Sequence, residues 1–378
     1  MSDDVLVFER VDVVYGVHQA VARDRLAGGA SREDLRASGY VVAVEGASLG
    51  VRHGEICVLM GESGSGKSSL LRCANGLTPV TRGRVLVRDG DQQIDVTSCD
   101  ARRLRDLRRR RIAMVFQHFA LMPWRTVREN VAFGLELQRV PRDERERRVH
   151  DVLALVGLGD WAAASPHELS GGMQQRVGLA RAYVTDADIL LMDEPFSALD
   201  PLTRLRLQED LLALQRTVPR TIVFVTHDVA EALKMGARIA LLAAGRIVQV
   251  GTPEDIALRP ATSYVREFAA GLNPLAVLRA ASVMRPVAPR PDAPLVVAGQ
   301  RIALDAAGRP AAGVPTIAAD ASLHDVVAAR AATDAALVVV GDDGCVVGLI
   351  DEREILRALL RDVRAAHPPA PSPPRAYR

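Results

Sequence analysis

Residues 61–68, with the sequence GESGSGKS, have the composition and spacing of a phosphate-binding loop. Glycines let a backbone wrap closely around phosphate oxygens, and the helix that begins after such a loop adds partial positive charge at its N-terminus. An apolar segment, 55–60, leads into the loop, and residues 69–72 leave it as a predicted helix. We expect Lys67 to bridge the β- and γ-phosphates of a bound nucleotide and the Ser68 hydroxyl to bind Mg²⁺. A chance glycine-rich turn would not combine strand, loop, lysine and helix in this order.

Two carboxylates, Asp193 and Glu194, follow directly on the apolar run 189–192. Ligands of parallel sheets gather at the carboxyl ends of the strands, so carboxylates at this position should lie close to the phosphates. Asp193 is predicted to hold Mg²⁺, directly or through water, and Glu194 to act as the general base that polarises an attacking water. The alternative is an acidic turn that begins at Pro195, but it leaves the pairing with the loop unexplained.

Two further polar side chains follow apolar runs that are predicted strands. Gln117 comes after 112–116 and can reach Mg²⁺ or the lytic water, and His227 follows the run 221–225 and can contact the γ-phosphate. Taken alone, a glutamine or histidine at such a place is more often an ordinary surface or strand-end residue. Their positions relative to the loop and the two carboxylates favour the catalytic interpretation.

Segment 169–176 (LSGGMQQR) is predicted to open a helix on a different lobe from the phosphate-binding loop, so it cannot reach the nucleotide of its own chain. Ser170 and the backbone amides of Gly171 and Gly172 form an anion-binding helix start, suited to a γ-phosphate presented by another molecule. Ser170 can also cap the helix, and we expect both roles. The sequence therefore predicts two copies paired head to tail, with Asp200 at the seam.

The remaining pattern predicts the elements that position these residues. Alternation of apolar and polar side chains near the start of the chain is typical of an antiparallel strand, and short continuous apolar runs later on are typical of strands covered on both faces. Helical stretches separate these runs, so the core should be a parallel sheet wrapped by helices. The predicted strands are 5–15, 41–51, 55–60, 112–116, 189–192 and 221–225, and the predicted helices include 145–156 and 203–216.

The bulk composition suits one large and one smaller domain. The 378 residues are 48% hydrophobic, which is enough for a buried core. The 48 basic and 46 acidic residues nearly balance, so the overall charge indicates no nucleic-acid partner. Four cysteines without paired spacing predict neither a disulfide framework nor a zinc site. With no signal-peptide pattern and no apolar run of about 18 residues, the chain is predicted to be soluble and cytosolic.

On the basis of these residues, about the first 270 positions resemble the ATPase subunits of ABC transporters. In that family's terms the Walker A loop is 61–68, the Q-loop residue Gln117, the signature 169–174, the Walker B strand 189–194, the D-loop 197–200 and the switch histidine His227. The resemblance implies ATP and Mg²⁺ as cofactors and an α/β fold of the ABC type, with a parallel core sheet, an antiparallel β subdomain and a helical subdomain. Tyr15 matches the aromatic residue that stacks on adenine.

The site residues that follow from these patterns and from the resemblance fall into three groups. The catalytic residues are predicted to be Lys67, Gln117, Glu194 and His227. The predicted Mg²⁺ ligands are Ser68, Gln117 and Asp193. The predicted nucleotide-binding residues are Tyr15, Gly61, Glu62, Ser63, Gly64, Ser65, Gly66, Lys67, Ser68, Ser69, Ser170, Gly171, Gly172, Gln174 and Asp200.

An insertion between the first strand and the strand before the Walker A loop narrows the resemblance. Residues 17–43 contain a predicted short helix with capping-box spacing at 31–34. This insertion and the strings at 112–123, 176–182 and 248–253 are similar to importers of glycine betaine, proline and choline. The resemblance implies a homodimer of ATPase subunits that energises membrane permease subunits, with a solute-binding protein as an indirect partner. It implies a peripheral location at the cytoplasmic face of the inner membrane.

The chain changes character after residue 272, the predicted end of the ATPase domain. Residues 273–315 are predicted to be a linker or a degenerate first half of a CBS pair, and 316–363 resemble one small α/β CBS unit. Asp351 stands where that family has a ribose-contacting hydroxyl, so a dimerisation or regulatory role is favoured over ligand binding. Residues 364–378 are predicted to be a proline-rich, disordered tail.

Two segments have open interpretations. Residues 121–124 (LMPW) follow Gln117 and are either part of the core or part of a groove that accepts a permease segment. Residues 102–111 contain seven arginines. A solvated helix face is the preferred interpretation, and the alternative is contact with anionic lipid headgroups at about 1 kcal/mol per basic residue.

The prediction for function is an ATP-hydrolysing subunit of a binding-protein-dependent importer for quaternary ammonium compounds, choline or glycine betaine and proline. One alternative is the ATPase of an importer for another small solute, such as an amino acid. A second is a soluble ABC ATPase that acts on DNA or the ribosome. Such proteins usually add long coiled coils, zinc-binding cysteine pairs or a second ATPase domain, and this sequence contains none of these patterns.

Overall fold

The chain forms two compact units, Met1–Thr252 and Pro253–Arg378. Glu254, at the start of the second unit, accepts hydrogen bonds from the Arg279 backbone and the Ser282 hydroxyl, which ties residues just after 252 to that unit. The boundary therefore lies before the predicted one at residue 272.

Within the described residues, no helix is long and apolar enough to cross a bilayer. The computed structural model describes residues 3–117, 120–197, 199–287, 295–297, 300–302, 304, 308–333 and 335–366.

The first unit contains ten strands and nine α-helices among its described residues. The strands are β1 (Asp4–Tyr15), β2 (Val41–Arg52), β3 (Ile56–Met60), β4 (Arg82–Asp89), β5 (Gln92–Asp95), β6 (Ile112–Val115), β7 (Ile189–Asp193), β8 (Thr221–Thr226), β9 (Arg238–Ala243) and β10 (Arg246–Gly251). The helices are α1 (Gln19–Ala27), α2 (Arg32–Ala37), α3 (Lys67–Cys73), α4 (Ala101–Arg110), α5 (Val127–Leu137), α6 (Arg142–Leu155), α7 (Gly171–Tyr183), α8 (Pro201–Thr217) and α9 (Val229–Met235).

The central sheet has the strand order β10-β9-β3-β8-β7-β6. All neighbours in it are parallel except β9 and β10, which are antiparallel. Strands β3, β7 and β8 are buried at every residue, as expected for continuous apolar runs covered on both faces. This sheet confirms the predicted parallel core and brings the carboxyl ends of β3, β7 and β8 to one edge.

A second, antiparallel sheet has the order β2-β1-β4-β5. Its apolar face and one face of the central sheet share a core that contains Phe8, Val44, Leu70 and Leu191. Asp12 is fully buried within this apolar region. Its carboxylate accepts a hydrogen bond from the Gly46 backbone at 2.6 Å and pairs with Arg82 at 2.5 Å, so one acid joins β1, β2 and β4.

The predicted insertion folds as α1 and α2 but ends earlier than residue 43, because Val41 and Val42 already pair with β1. Helix α2 starts at a capping box between Ser31 and Asp34, as the spacing predicts. The helices predicted over 145–156 and 203–216 are α6 and α8. Each begins a little earlier than predicted, and for α8 the reason is that Asp200 caps the helix and Pro201 occupies its first turn.

The arginine-rich segment is helix α4 and the turn after it. Arg103 and Arg111 pair with Asp89, Arg111 also pairs with Asp188, and Arg108 donates to the Asn75 carbonyl. Several of the seven arginines therefore bond within the first unit. The preference for a solvated helix face over a lipid-binding surface stays a prediction.

The second unit contains a mixed sheet of order β11-β16-β15-β14. Its helix α15 continues to Ala366, so residues 364–366 of the predicted tail are helical, and 367–378 lie outside the described residues, as do parts of 273–315. Residues 364–366 (RAA) are good helix formers, and Pro368 follows them. The strands are β11 (Arg285–Pro286), β12 (Leu295–Val297), β13 (Gln300–Ile302), β14 (Thr316–Ala318), β15 (Leu337–Val340) and β16 (Val346–Ile350). The helices are α10 (Pro253–Leu258), α11 (Ser263–Ala270), α12 (Pro274–Val277), α13 (Ala280–Val283), α14 (Leu323–Ala331) and α15 (Glu352–Ala366).

The buried Asp12 pair gives a test of how the antiparallel sheet is held. Asp12→Ala should destabilise the first unit by about 1–3 kcal/mol, because it removes the charge-assisted hydrogen bonds from the Gly46 amide and the Arg82 guanidinium. Glu9→Ala is the matched control, since Glu9 pairs with Arg84 at 2.6 Å across the same two strands but both side chains are exposed. That change should cost about 1 kcal/mol or less. Urea unfolding followed by circular dichroism measures both, and equal shifts of the midpoint would contradict the role assigned to Asp12.

Candidate nucleotide-binding and hydrolysis site

The loop between β3 and α3 has the geometry of a phosphate-binding loop. Gly61, Gly64 and Gly66 have positive φ angles of 150°, 77° and 96°. A Cβ atom on Gly61 would overlap the Leu242 carbonyl oxygen, and one on Gly66 would overlap the Ala43 carbonyl oxygen. Only glycine fits these two positions, because the obstacles are main-chain atoms that cannot rotate away.

Lys67 begins helix α3 and turns its ammonium back across the loop. The Nζ donates to the carbonyl oxygens of Gly61 at 2.8 Å and Glu62 at 2.7 Å. Burial lowers the pKa of Lys67, and the carboxylates of Glu194, Asp193 and Glu62 oppose that shift. The positive charge thus lies at the mouth of the loop, where phosphate oxygens can replace the two carbonyls as its partners.

Ser68 and Asp193 meet between α3 and the end of β7. The Ser68 hydroxyl donates to Asp193 Oδ1 at 2.6 Å, and Asp193 is almost fully buried. Arg72 pairs with the other carboxylate oxygen, with Nη2 and Nε at 2.9 and 3.1 Å from Oδ2. The sequence patterns miss Arg72 as a site residue, although its i,i+4 spacing from Ser68 places both on one face of α3.

Glu194 and His227 form a second pair beside the first. Glu194 has a left-handed backbone with φ of 45°, and its N–H donates to the Val225 carbonyl of β8 at 3.1 Å. Its Oε2 lies 3.2 Å from His227 Nδ1. A non-glycine residue in this conformation costs about 1 kcal/mol or more, and such residues are concentrated at functional sites. Because the chain turns at this residue, the two adjacent carboxylates contact different partners.

Gln117 is linked to the turn at Glu194 by hydrogen bonds through Ser197. Its Nε2 is 3.5 Å from Ser197 Oγ, and the Ser197 hydroxyl donates to the Glu194 carbonyl at 3.0 Å. Strand β6 ends at Val115, so Gln117 stands in the loop after it. His118 and Phe119, which belong to the string used for the family resemblance, lie outside the described residues.

The signature segment is held by its own local hydrogen bonds. Ser170 caps α7 and accepts from the Met173 backbone amide at 3.4 Å, and the Gln174 side-chain amide donates to the carbonyls of Pro166 and Leu169. Asp200 caps α8 by accepting from the Thr203 amide at 3.0 Å, and this cap lowers the pKa of the carboxyl group. Each of these bonds is local to the start of α7 or α8, and the assignment of this segment to the nucleotide of another copy stays a prediction.

Tyr15 stands at the end of β1 beside helix α3. Its hydroxyl lies 3.0 Å from Ser69 Oγ, and the residue is 41% exposed. The structure therefore brings Tyr15 to the phosphate loop in spite of the insertion that separates them in the sequence. A half-exposed ring beside the loop is suited to stack on a nucleotide base.

Within residues 121–124, hydrogen bonds hold the backbone of Met122, whereas the Trp124 side chain is exposed. The Asn130 side chain accepts from the Met122 amide and donates to the Met122 carbonyl, which fixes the loop. Trp124 is 78% exposed. An exposed tryptophan at a fixed loop is a common anchor for a partner protein, so the groove prediction stays a prediction with a defined residue to test.

The two sheets, the glycine-held phosphate loop and the paired carboxylates define an ATP-binding cassette of the ABC class. The family model described as ABC transporter matches residues 44–197. A solved ATP-binding cassette, dimeric and in a post-hydrolysis state bound to ADP and Pi, matches with a TM-score of 0.55 and 30% identity. That match covers 65% of this chain and 98% of the other.

Similarity to individual proteins specifies the family more narrowly. The glycine betaine transport ATP-binding protein OpuAA of Bacillus subtilis is 46% identical, over 78% of this chain and 69% of its own. The glycine betaine/proline betaine transport system ATP-binding protein ProV of Escherichia coli is 48% identical, over 72% and 67%. The trimethylamine N-oxide transport system ATP-binding protein TmoW of Ruegeria pomeroyi is 38% identical, over 96% and 98%. The chain belongs to the family of ABC transporter ATP-binding proteins, as its motifs predict, and is an ATPase coupled to transport.

The signature glycines differ in their surroundings, which gives a test of the packing of α7 on α8. A Cβ on Gly172 would lie 2.5 Å from Thr203 Cγ2, whereas no described atom lies within 4 Å of a Cβ on Gly171. Relative to Gly171→Ala, which corrects for helix propensity, Gly172→Ala should destabilise the first unit by about 1–2 kcal/mol through overpacking. Thr203→Ser removes the clashing methyl and should restore most of that loss. Thermal unfolding of the wild type, Gly171→Ala, Gly172→Ala and the double variant Gly172→Ala/Thr203→Ser measures this, and a Gly172→Ala protein as stable as Gly171→Ala would contradict it.

Proposed function

We propose that this protein is the ATP-hydrolysing subunit of an importer for quaternary ammonium compounds, with glycine betaine and choline as the first candidates. The observation that carries the proposal is the similarity to relatives whose names specify glycine betaine, proline betaine, carnitine and choline transport, at 41–48% identity. The relative that spans nearly the whole chain transports trimethylamine N-oxide. Glycine betaine, choline and trimethylamine N-oxide all carry a fully methylated cationic nitrogen, so one solute class includes them.

The proposed hydrolysis assigns one task to each side chain. Lys67 holds the β- and γ-phosphates, and Glu194 accepts a proton from the attacking water as it adds to the γ-phosphorus. His227, 3.2 Å from Glu194, orients that carboxylate and contacts the γ-phosphate. Gln117, whose Nε2 lies 3.5 Å from Ser197 Oγ beside the Glu194 turn, contacts the attacking water or Mg²⁺.

The Ser68–Asp193 pair supplies the donors for Mg²⁺. Two hard oxygen atoms 2.6 Å apart, with one carboxylate oxygen held by Arg72, suit a small divalent cation, and Gln117 can add a third oxygen. When bound, Mg²⁺ neutralises charge on the phosphate oxygens. Among the described residues no cluster of three acidic, histidine or cysteine side chains forms a separate metal site, so any Mg²⁺ ligands come from this mixed set and from the nucleotide.

Two copies of the chain complete two sites in this proposal. The signature residues Ser170, Gly171 and Gly172 of one copy face the γ-phosphate held by Lys67 of the other, and Asp200 lies at the seam. Closure around ATP drives two permease subunits between inward- and outward-facing states, and a solute-binding protein delivers the solute from outside. The ATPase subunits are peripheral at the cytoplasmic face of the inner membrane.

The base assignment is tested by Glu194→Gln. This change removes the proton acceptor but keeps the shape of the side chain, so kcat should fall about 100- to 1000-fold while ATP binding is retained. ATP should also trap the closed dimer, which size-exclusion chromatography detects. Glu209→Gln is the control, because Glu209 is an exposed acid on α8 that pairs with Lys234. Normal turnover in Glu194→Gln would overturn the assignment.

The solute class is tested by uptake in cells from which other importers of these solutes are deleted. Cells that carry Lys67→Ala should lose uptake of labelled glycine betaine, choline or trimethylamine N-oxide, because the phosphates lose their only lysine ligand. Lys234→Ala is the matched control, since these two are the only lysines in the chain and Lys234 makes a surface ion pair. If all three solutes enter equally well in both variants, while ATP hydrolysis is lost in Lys67→Ala alone, the ATPase stands and the solute class is wrong. Uptake of amino acids by the same cells then tests the alternative solute.

A further inference from the structure

The insertion between β1 and β2 has a structural role that the transport cycle does not explain. Its helices α1 and α2 pack on the ends of these strands and do not project freely. They form a separate apolar cluster of Val14, Ala22, Leu26, Leu35, Tyr40 and Val42. The insertion is thus fixed to the part of the antiparallel sheet that lies next to Tyr15.

Tyr40 links this cluster to the residue predicted to stack on adenine. The Tyr40 ring is buried, and a Cβ on Gly16 would lie 2.8 Å from its Cε1, so the ring packs closely against the backbone that follows Tyr15. Tyr15 is paired with Val41 across the two strands, directly after Tyr40. The Tyr40 ring therefore blocks the backbone movement that would let Tyr15 turn away from the Ser69 hydroxyl, 3.0 Å from its own.

A second contact runs from the insertion to the phosphate loop. Arg32, the first residue of α2, donates to the Ala244 carbonyl in the turn between β9 and β10. In the same turn the Gly245 N–H donates to the Ser65 carbonyl at 3.2 Å, and the Gly245 carbonyl accepts from the Glu45 amide at 2.8 Å. Ala244 has a left-handed φ of 47°, so its conformation depends on such support. Arg32 thus holds the turn that carries one side of the Walker A loop.

We propose that segment 17–40 positions the ATP site from two sides, with Tyr40 fixing the adenine platform and Arg32 fixing the turn beneath the phosphate loop. Both are positioning residues, because neither touches the nucleotide. A site held in its binding conformation loses less conformational entropy when ATP binds, so the effect appears in affinity. The proposal rests on the ATP site described above, but it concerns residues outside every ABC motif in the chain.

The two contacts predict different losses, which separates them from general destabilisation. Tyr40→Leu disturbs only the base platform, so it should weaken ATP binding about fivefold and leave binding of inorganic tripolyphosphate within twofold of wild type. Arg32→Gln disturbs the phosphate loop and should weaken ATP and tripolyphosphate by the same factor. In both variants kcat at saturating ATP should stay close to that of the wild type.

Titration calorimetry on the full chain with Mg²⁺ measures these affinities. Tyr40→Phe keeps the ring, and Arg36→Gln removes an exposed arginine from the same helix, so both should match the wild type. Equal weakening of both ligands by Tyr40→Leu, or no weakening of ATP by either variant, would overturn the proposal. Arg32 is only partly buried, so its variant tests the phosphate side even if Tyr40→Leu does not fold. Failure of the ATP site itself would appear separately, as equal ATP binding by wild type and Lys67→Ala.

Discussion

The site depends on the close approach of three main-chain segments at the Walker A loop. Gly61 lies against the Leu242 carbonyl of β9, and Gly66 lies against the Ala43 carbonyl of β2. Strand β9 belongs to the central sheet and β2 to the antiparallel sheet, so the loop is wedged where the two sheets meet. Side-chain repacking cannot relieve a clash with a carbonyl. The positions of Lys67 and Ser68 are therefore set by both sheets together.

The end of β7 uses this fixed frame to direct two adjacent carboxylates in different ways. Asp193 ends the strand within its ladder and is turned toward Ser68 and Arg72 of α3. Glu194 leaves the strand with a left-handed φ and reaches His227 at the end of β8. The backbone bond from Glu194 to Val225 holds this turn against the neighbouring strand. A single strand end can then serve both the predicted metal site and the predicted water site without competition between the two acids.

The sequence predicts the parts of this site that depend on order along one chain, and it misses those that depend on packing. Strand, loop, lysine and helix are consecutive, so residues 61–68 and the acids after β7 can be recognised from pattern alone. Arg72 and Tyr40 act through contacts with Asp193 and with the backbone at Gly16, which have no fixed spacing in sequence. The boundary between the two units lies after Thr252 and not at the predicted residue 272, and the hydrogen bonds that Glu254 accepts from Arg279 and Ser282 are likewise contacts without a sequence pattern. Continuous apolar runs identified β3, β6, β7 and β8 of the central sheet, but the sequence prediction missed β4, β5, β9 and β10.

The signature helix forms local hydrogen bonds within one copy, and in the proposed dimer it also faces the nucleotide of the other copy. Two of its polar side chains bond locally: Ser170 caps α7, and the Gln174 side-chain amide bonds to the turn before the helix. On one side Gly172 packs tightly on Thr203, which fixes α7 against the helix that Asp200 caps. On the other side Gly171 has no described neighbour within 4 Å of a Cβ position. The helix start is therefore packed against α8 at Gly172 and exposed at Gly171. The proposed head-to-tail dimer uses this asymmetry, because the backbone amides at an exposed helix start can accept a γ-phosphate from a second copy.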